Sequence, residues 1–263
     1  MRSDPARSAE EPELQQQVAR AHARLFRPRR LDLDRVLLFT TRGWRQLLER
    51  RLRELQLATM LFVGAALAAW AAVVAEPAGA VELLSPGVVA EAEARMLAGH
   101  WTVPSGPLHA VGLAAENGRR AFETIAFGVS FGLGTVWALL KNGAFVGALY
   151  GVAWHHDAVA VLGRFMAPHG VFEFPAIFVA GAGGLTLARA LVMPGASTRR
   201  AALRQVADDV LGLTGLAAGL LVVAAVVEGL LSPILSGIGA GLVAFVELGL
   251  LALWWRRSGS HAP

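Results

Sequence analysis

The segment Leu57–Ala75 reads LATMLFVGAALAAWAAVVA and contains no charged side chain. A helix needs about 20 mostly apolar residues to cross the hydrocarbon core of a bilayer. This segment therefore predicts a transmembrane helix. Further apolar segments of similar length follow it along the chain, at 121–140, 143–162, 171–192, 210–231 and 234–255. The sequence thus predicts an all-α, polytopic membrane helix bundle with about six transmembrane helices.

The overall composition supports a membrane protein. The chain has 263 residues, of which 55% are hydrophobic and 17% are charged, whereas about a quarter of the residues of a soluble domain are charged. It contains no cysteine, which excludes disulfides, cysteine-ligated zinc and thiol nucleophiles. A phosphate-binding glycine-rich loop is also absent from the sequence, and Ser130, Ser197 and Ser232 lack the strand-to-helix setting of a G-x-S-x-G nucleophile.

Basic residues are distributed unevenly and predict the orientation. Residues 1–56 hold 13 of the 23 arginines and form a basic cytoplasmic arm. The positive-inside rule places Lys and Arg in cytoplasmic segments. With both termini inside, 19 basic residues fall in inner segments and four in outer segments. We therefore expect a multi-pass protein of the cytoplasmic membrane, N-in and C-in, with a membrane domain at 57–255 and an inner tail at 256–263.

The connecting segments follow from this count. The outer loop is expected at 76–120, an inner turn at Lys141–Asn142 and a second outer loop at 163–170. Val88–Leu97 has an amphipathic pattern and predicts a short surface helix, either a cover on the membrane or a docking surface. In the arm, Arg42–Leu55 predicts an amphipathic helix lying on the lipid bilayer, with a partner-binding helix as the alternative. The arm carries no nucleic-acid-binding motif, so no nucleic acid partner is expected.

Small residues recur at intervals of four within the apolar segments. In a membrane, glycine at this spacing lets helix backbones approach closely. Packing within the chain and a face for a homo-oligomer both remain open. The glycines concerned are Gly128 and Gly132, then Gly143, Gly147 and Gly151, and also Gly215 and Gly219, while Gly181, Gly183 and Gly184 mark a thin stretch of the fourth predicted span.

Several polar side chains fall inside or beside the predicted spans. An ionisable group in hydrocarbon is costly and indicates a functional site by default. His169 and Glu173 are four residues apart and share a helical face, and Glu228 lies near the outer end of the fifth predicted span. These three are expected at the outer leaflet, whereas Asn142 is expected on the opposite side, at the inner turn.

Three interpretations of this cluster remain open. The side chains hydrogen-bond to each other and set helix packing, or they form a polar conduction path, or they hold a metal or perform acid–base chemistry. The spacing H-x-x-x-E lacks the second imidazole of the H-E-x-x-H zinc motif, so we predict no metal, no cofactor and no catalytic residue. His155, His156 and Asp157 are expected to form a polar turn at the outer end of the third predicted span.

Three stretches in order resemble the stage II sporulation protein M family. They are GVSFGLGTVWALLKNGAFVGALYG at Gly128–Gly151, HGVFEFPAIFVAGAGGLTLARAL at His169–Leu191 and AAVVEGLLSP at Ala224–Pro233. The family pattern has an asparagine pair before the second span, of which this chain keeps Asn117. The motif residues that the resemblance marks as candidate site residues are Asn142, Gly143, His169, Gly170, Glu173 and Glu228.

The resemblance implies a non-enzymatic function. The family's named member is a polytopic protein that resembles a scaffold for peptidoglycan-degrading enzymes, and relatives are often encoded near a MoxR-type ATPase. We therefore expect a scaffold or recruiter for cell-envelope remodelling, with membrane or extracytoplasmic envelope proteins as partners, peptidoglycan hydrolases or a MoxR-type ATPase system among them. A transporter or channel-like protein using the Glu/His cluster is the first alternative, and an intramembrane hydrolase is the second.

The predicted topology places Ser85 and Ser197 on opposite sides of the membrane. In single-cysteine variants Ser85→Cys and Ser197→Cys, a membrane-impermeant maleimide applied to intact cells should label only Ser85→Cys. Because the chain has no native cysteine, the unmodified protein is the background control. Labelling of both positions from the same side would refute the topology.

Overall fold

Every regular element that the structure describes is helical. The computed structural model describes residues 43–99, 106–231 and 237–257, and no strand occurs among them. The helices are α1 Trp44–Arg50, α2 Leu52–Ala75, α3 Ala80–Leu84, α4 Pro86–Leu97, α5 Pro107–Ala126, α6 Leu133–His155, α7 Val159–Val192, α8 Arg199–Val226 and α9 Gly237–Arg257. The predicted all-α polytopic bundle is confirmed.

Five of these helices are long and apolar enough to cross a membrane, namely α2, α6, α7, α8 and α9. The helix α5 is 20 residues long, and its 30 Å length at 1.5 Å per residue also matches the hydrocarbon core. Its composition excludes it from the apolar candidates, because Glu116, Arg119, Arg120 and Glu123 lie in its middle and second half. The contacts of α5 decide whether it crosses the bundle.

The helices α2 and α6 lie side by side and run in the same direction. Gly143 lies against the carbonyl of Phe62, and one helical turn later Gly147 lies against the carbonyl of Ala66. The nearest neighbour of Gly151 is Val73. Contacts that advance together along both chains define a parallel pair. The chain must therefore return across the bundle between the end of α2 and the start of α6.

The helix α5 makes this return. At its start, the Gly106 N–H donates to the Gly229 carbonyl, 3.0 Å away, beyond the end of α8. At its other end, the Thr135 hydroxyl near the start of α6 donates to the Thr124 carbonyl over 2.7 Å. The six crossings are therefore five apolar helices and α5, and the second and third crossings are not at the predicted positions 121–140 and 143–162.

A backbone reversal separates α5 from α6. Phe131 and Gly132 both have positive φ, at 56° and 88°, the left-handed conformation that glycine adopts without strain. The predicted inner turn at Lys141–Asn142 is consequently wrong, because both residues lie inside α6. The predicted outer loop at 163–170 is wrong for a similar reason, since α7 runs unbroken from Val159 to Val192.

Both ends of the membrane domain lie at the same end of the bundle. The Trp44 ring at the start of α1 stacks on Trp254 in the last turns of α9, with centroids 3.7 Å apart. We call this the inner end and the opposite one, where α2 finishes, the outer end, following the predicted N-in and C-in orientation. Ion pairs add to the inner end, where Asp209 of α8 binds Arg50 and Arg51 over 2.8 Å each.

The predicted amphipathic helix at Arg42–Leu55 takes a different form. Its helix is interrupted at Arg51, after which the chain begins α2. The side chains of Trp44, Leu47 and Leu48 are buried because α1 packs on α8 and on Trp254. The apolar stripe was predicted correctly, but within α1 it contacts protein and not lipid.

The outer end carries a small helical layer made by α3 and α4. One apolar cluster joins the buried faces of these helices to α6 and α7, and contains Leu84, Val89 and Met96 together with Val152 and Leu162. The surface helix predicted at Val88–Leu97 is confirmed as α4, and its apolar face packs on the bundle. We call α3 and α4 together the outer platform.

Parts of the predicted organisation lie outside the described residues. These are residues 1–42 of the basic arm, residues 100–105 of the predicted outer loop, residues 232–236 around the start of the sixth predicted span, and the tail beyond residue 257.

The position of Asn142 offers a direct check on the revised crossings. In Asn142→Cys the thiol should resist a membrane-impermeant maleimide from either side, because it lies inside α6. Ser130→Cys, in the reversal between α5 and α6, should be labelled from the inner side. Labelling of Asn142→Cys from the inner side, as an inner turn would give, would contradict this fold.

Candidate functional site

Contacts around Phe62 show which polar residues lie at mid-height of the bundle. Phe62 is near the middle of α2, and its ring centroid lies 5.8 Å from that of Phe174 and 5.4 Å from that of Phe178. Its carbonyl touches Gly143. The neighbours of these residues in sequence, Glu173 and Asn142, are therefore at the level of the bilayer midplane.

A cavity of about 30 Å³ between four helices brings the polar side chains of three of them together. This volume holds one or two water molecules, and the polar lining gives them hydrogen-bond partners. The lining combines one carboxyl, one guanidinium, two amides and a hydroxyl with apolar side chains; it consists of Asn117, Arg120, Ala121 and Thr124 of α5, Asn142 of α6, Glu173, Ile177 and Ala180 of α7, and Leu221 of α8.

Glu173 connects this cavity to the outer half of the bundle. Its carboxyl Oε2 lies 3.9 Å from Nε2 of His169, one helical turn away on the same face. The carboxyl also interacts electrostatically with Arg120 and with Glu228. Polar groups thus continue from the cavity towards the outer end, which is the arrangement that either a packing network or a polar path requires.

His169 is held in a mostly apolar position. It is 3% exposed, and the Phe165 ring meets it edge-on at 5.0 Å. Its Nδ1 is buried and has no hydrogen-bond partner in the part of the chain that the structure describes. A buried nitrogen without a partner is costly, so this imidazole is the least satisfied member of the cluster.

The predicted candidates fall into two groups in the fold. Asn142, expected on the other side from the Glu/His cluster, shares the cavity with Glu173, and that expectation was wrong because the inner turn does not exist. Asn117 lies in the same cavity. Glu228 is buried in the short π-helix Val227–Leu231 that follows α8.

The second group lies apart, in the turn between α6 and α7 at the outer end, as the sequence predicts. His155 Nε2 is 3.1 Å from the Val73 carbonyl, and His156 Nε2 is 3.4 Å from Glu93 of the outer platform. Asp157 has a positive φ of 51°. These residues therefore connect α6 to α2 and α4, and do not belong to the cavity.

Most motif glycines serve helix packing within the chain. Gly128 lies against the backbone of Gly184, Gly132 against the Ala188 side chain and Gly170 against the Phe174 ring of its own helix. A side chain added at Gly184 would meet Thr135 and the carbonyl of Thr124. In contrast, within the described part of the chain nothing lies within 4 Å of a Cβ added at Gly215 or Gly219.

Sequence reasoning missed Arg120 and Thr124 as members of the site. The apolar window 121–140 hid the helix α5, which begins far earlier. One signal was available, because Asn117, Arg120 and Thr124 are three and four residues apart and so share one face of a helix. Hydropathy did not predict α5 as a membrane span because the helix carries charged side chains.

The cluster can bind water, and it can fix the positions of the four helices around it. Among the described residues, no group of three or more His, Asp and Glu side chains is placed to bind a metal ion. All members of the cluster lie between residues 117 and 228, inside the segment that comparison with known families identifies. The sequence model of stage II sporulation protein M matches residues 58–233.

The chain belongs to the stage II sporulation protein M family. The matched segment contains α3 to α7 entirely, all of α2 beyond its first turns and all of α8, and therefore the cavity and the outer platform. No curated protein and no solved structure matches the chain in the corresponding searches. Family membership establishes a multi-helix membrane protein here and leaves its action to be inferred from the site.

The hydrogen bond from Thr135 to the Thr124 carbonyl holds α5 in position beside the cavity. Thr135→Val keeps the shape of the side chain and removes the donor, so unfolding in detergent should become easier by about 0.5–1.5 kcal/mol. Thr186→Val is the matched control, because Thr186 is equally buried and donates to Ala182 in its own helix. Equal losses in both variants would contradict a positioning role for Thr135.

Proposed function

We propose that this member of the stage II sporulation protein M family is a non-enzymatic scaffold of the cytoplasmic membrane. In this proposal it recruits cell-envelope remodelling partners at its outer end, with extracytoplasmic peptidoglycan hydrolases as the partner class. The basic inner arm is the corresponding site for a cytoplasmic partner, such as a MoxR-type ATPase system. Family membership and the outer platform support the proposal.

The outer platform is the observation that carries it. The segment after α2 is a pair of helices fixed on the bundle, since Leu84, Val89, Ala92 and Met96 are buried against α6 and α7. A preorganised surface loses little conformational freedom on binding and so binds more tightly than a mobile loop. A fixed outer surface is what a scaffold requires.

The free surface of the platform has the composition of a recognition site. Val81 and Leu83 of α3 are both 43% exposed, and Glu82 and Glu91 lie on the solvent side. Exposed apolar side chains with charged neighbours are typical of a protein interface with an apolar centre and a polar rim. Glu91 pairs with Arg95 over 2.5 Å, so the rim carries both signs of charge and favours a partner with polar residues around an apolar contact.

The polar cavity favours a second candidate function, that of a transporter or channel-like protein. Glu173 lies at mid-height, with His169 and Glu228 towards the outer end and Asn117, Arg120 and Asn142 beside it. Ionisable groups at this depth are typical of ion and proton pathways. This candidate requires a titrating Glu173, whereas the scaffold requires an intact outer platform.

One experiment tests the two against each other. The protein is purified from native membranes in a mild detergent, and partners are identified and quantified by mass spectrometry. The variant Leu83→Glu should remove a near-stoichiometric envelope partner, because it places a charge at the centre of the exposed patch. Arg200→Glu is the matched control at the inner end, where Arg200 is exposed at the start of α8, and it should retain that partner.

The variant Glu173→Gln distinguishes the transport function from the scaffold. A scaffold keeps its partner in this variant, because the amide has the size of the carboxyl and the platform is unchanged. Recovery of the unmodified protein without any stoichiometric partner would contradict the scaffold. Proton or ion flux in proteoliposomes that is lost in folded Glu173→Gln would support the transport function in its place.

A further inference from the structure

The helix α5 carries a network of charges that extends from Arg120, at the cavity, to the side of the helix that faces away from the cavity. Arg119 donates to Glu116 over 2.8 Å and also to Glu123, and Arg120 donates to Glu116 over 3.0 Å. The network contains two acids and two bases and is therefore neutral. Each of these four side chains is between 42% and 57% exposed.

The network lies at membrane depth. Arg120 and Asn117 of the same helix line the cavity together with Asn142 and Glu173, which are at mid-height. Glu116 and Glu123 are seven residues apart, or about 10 Å along the helix. Because the hydrocarbon core is about 30 Å thick, the whole network lies within it.

The remainder of this face is apolar and includes small residues. Leu108, Val111 and Phe122 are 90%, 66% and 63% exposed. Gly112 and Ala115 between them are exposed as well, and no atom of the described residues lies within 4 Å of a Cβ added at Gly112. We call the exposed stripe of α5 from Leu108 to Glu123 the α5 face.

Lipid chains cannot satisfy this surface. Charged side chains within the membrane face a bundle interior or a water-filled cavity and pair with one another. Their spare donors and acceptors have no partner in hydrocarbon, where an unpaired polar group costs several kcal/mol. A protein surface that is itself neutral, polar at its centre and apolar around it therefore has to cover the α5 face.

A second copy of this chain has these properties. Along the face the charges alternate as Glu116, Arg119 and Glu123, so that two identical faces crossing at a small angle can place each Arg119 beside acids of the other copy. Gly112 and Ala115 allow the two backbones to approach closely, as small residues do at membrane helix interfaces. A twofold axis along the membrane normal gives both copies the same insertion direction and an isologous contact.

We infer that the protein forms a homodimer in the membrane through the α5 face, with the ion pairs of Glu116, Arg119 and Glu123 shared between copies. In the dimer, the second copy covers the charges of α5 and so shields them from lipid. This inference does not depend on the proposed function, since a scaffold and a transporter can both be dimeric.

Cysteine cross-linking in native membranes tests the interface. The full-length chain has no cysteine, so Gly112→Cys and Ala115→Cys each introduce a single thiol on the α5 face. Oxidation should give a disulfide-linked species of twice the chain mass, which reducing agent removes. Met60→Cys is the matched control, since Met60 is 65% exposed on α2, at a similar depth and away from α5, and it should give no such species.

Charge exchange tests the shared ion pairs. In the Ala115→Cys background, Arg119→Glu should lower the cross-linked fraction roughly tenfold, or about 1.4 kcal/mol, because it sets three acids against their copies. Adding Glu116→Arg to Arg119→Glu returns the net charge of the four-residue network to zero and should recover most of the yield. The monomer band and its resistance to protease show whether each variant is folded.

Several results would overturn the inference. Equal cross-linking at Met60→Cys and Ala115→Cys would indicate random collision. A disulfide-linked dimer formed only by Gly215→Cys would place the interface on α8. Absence of any cross-link at Gly112 and Ala115 in the folded protein would leave the α5 face to lipid or water, and a cross-linked species of another mass would assign it to a different protein.

Discussion

The parallel contact between α2 and α6 imposes the arrangement of the other helices. Gly143 and Gly147 lie directly against the backbone carbonyls of Phe62 and Ala66, so that no larger side chain fits at either position. In lipid, close packing replaces the hydrophobic driving force between helices, and this contact is the most intimate in the described bundle. Because the two helices are parallel, the intervening chain must cross back, and α5 has to do so in spite of its charges.

The polar character of the membrane domain follows from that crossing. The inward side of α5 brings Asn117, Arg120 and Thr124 to Asn142 and Glu173 around the cavity. Its outward side presents Arg119 with two acids. A charged helix is acceptable in a bilayer only where protein or water covers it. The cavity covers the side of α5 that carries Asn117 and Thr124, and in the inferred dimer a second copy covers the side that carries Arg119.

The outer platform and the α5 face have different partners in the two proposals. The platform lies beyond the end of α2, where Leu84, Val89 and Met96 anchor it on the bundle, and it presents a fixed surface to extracytoplasmic proteins in the proposed scaffold. The α5 face is directed into the membrane, where a second copy is its proposed partner. A dimer would display two platforms side by side, which raises the effective local concentration for any partner with two binding sites.

The sequence by itself determined the fold class, the family, the helix at Val88–Leu97 and the shared helical face of His169 and Glu173, because apolar length and residue spacing are local properties. The tertiary structure decided that α5 crosses, that Asn142 joins Glu173 and that Trp44 stacks on Trp254. A hydropathy scale scores each segment from its own residues alone, so it did not predict a helix with four charges as a membrane span. The stability of such a helix in the membrane comes from its neighbours, which are known only once α2 and α6 have been packed against each other.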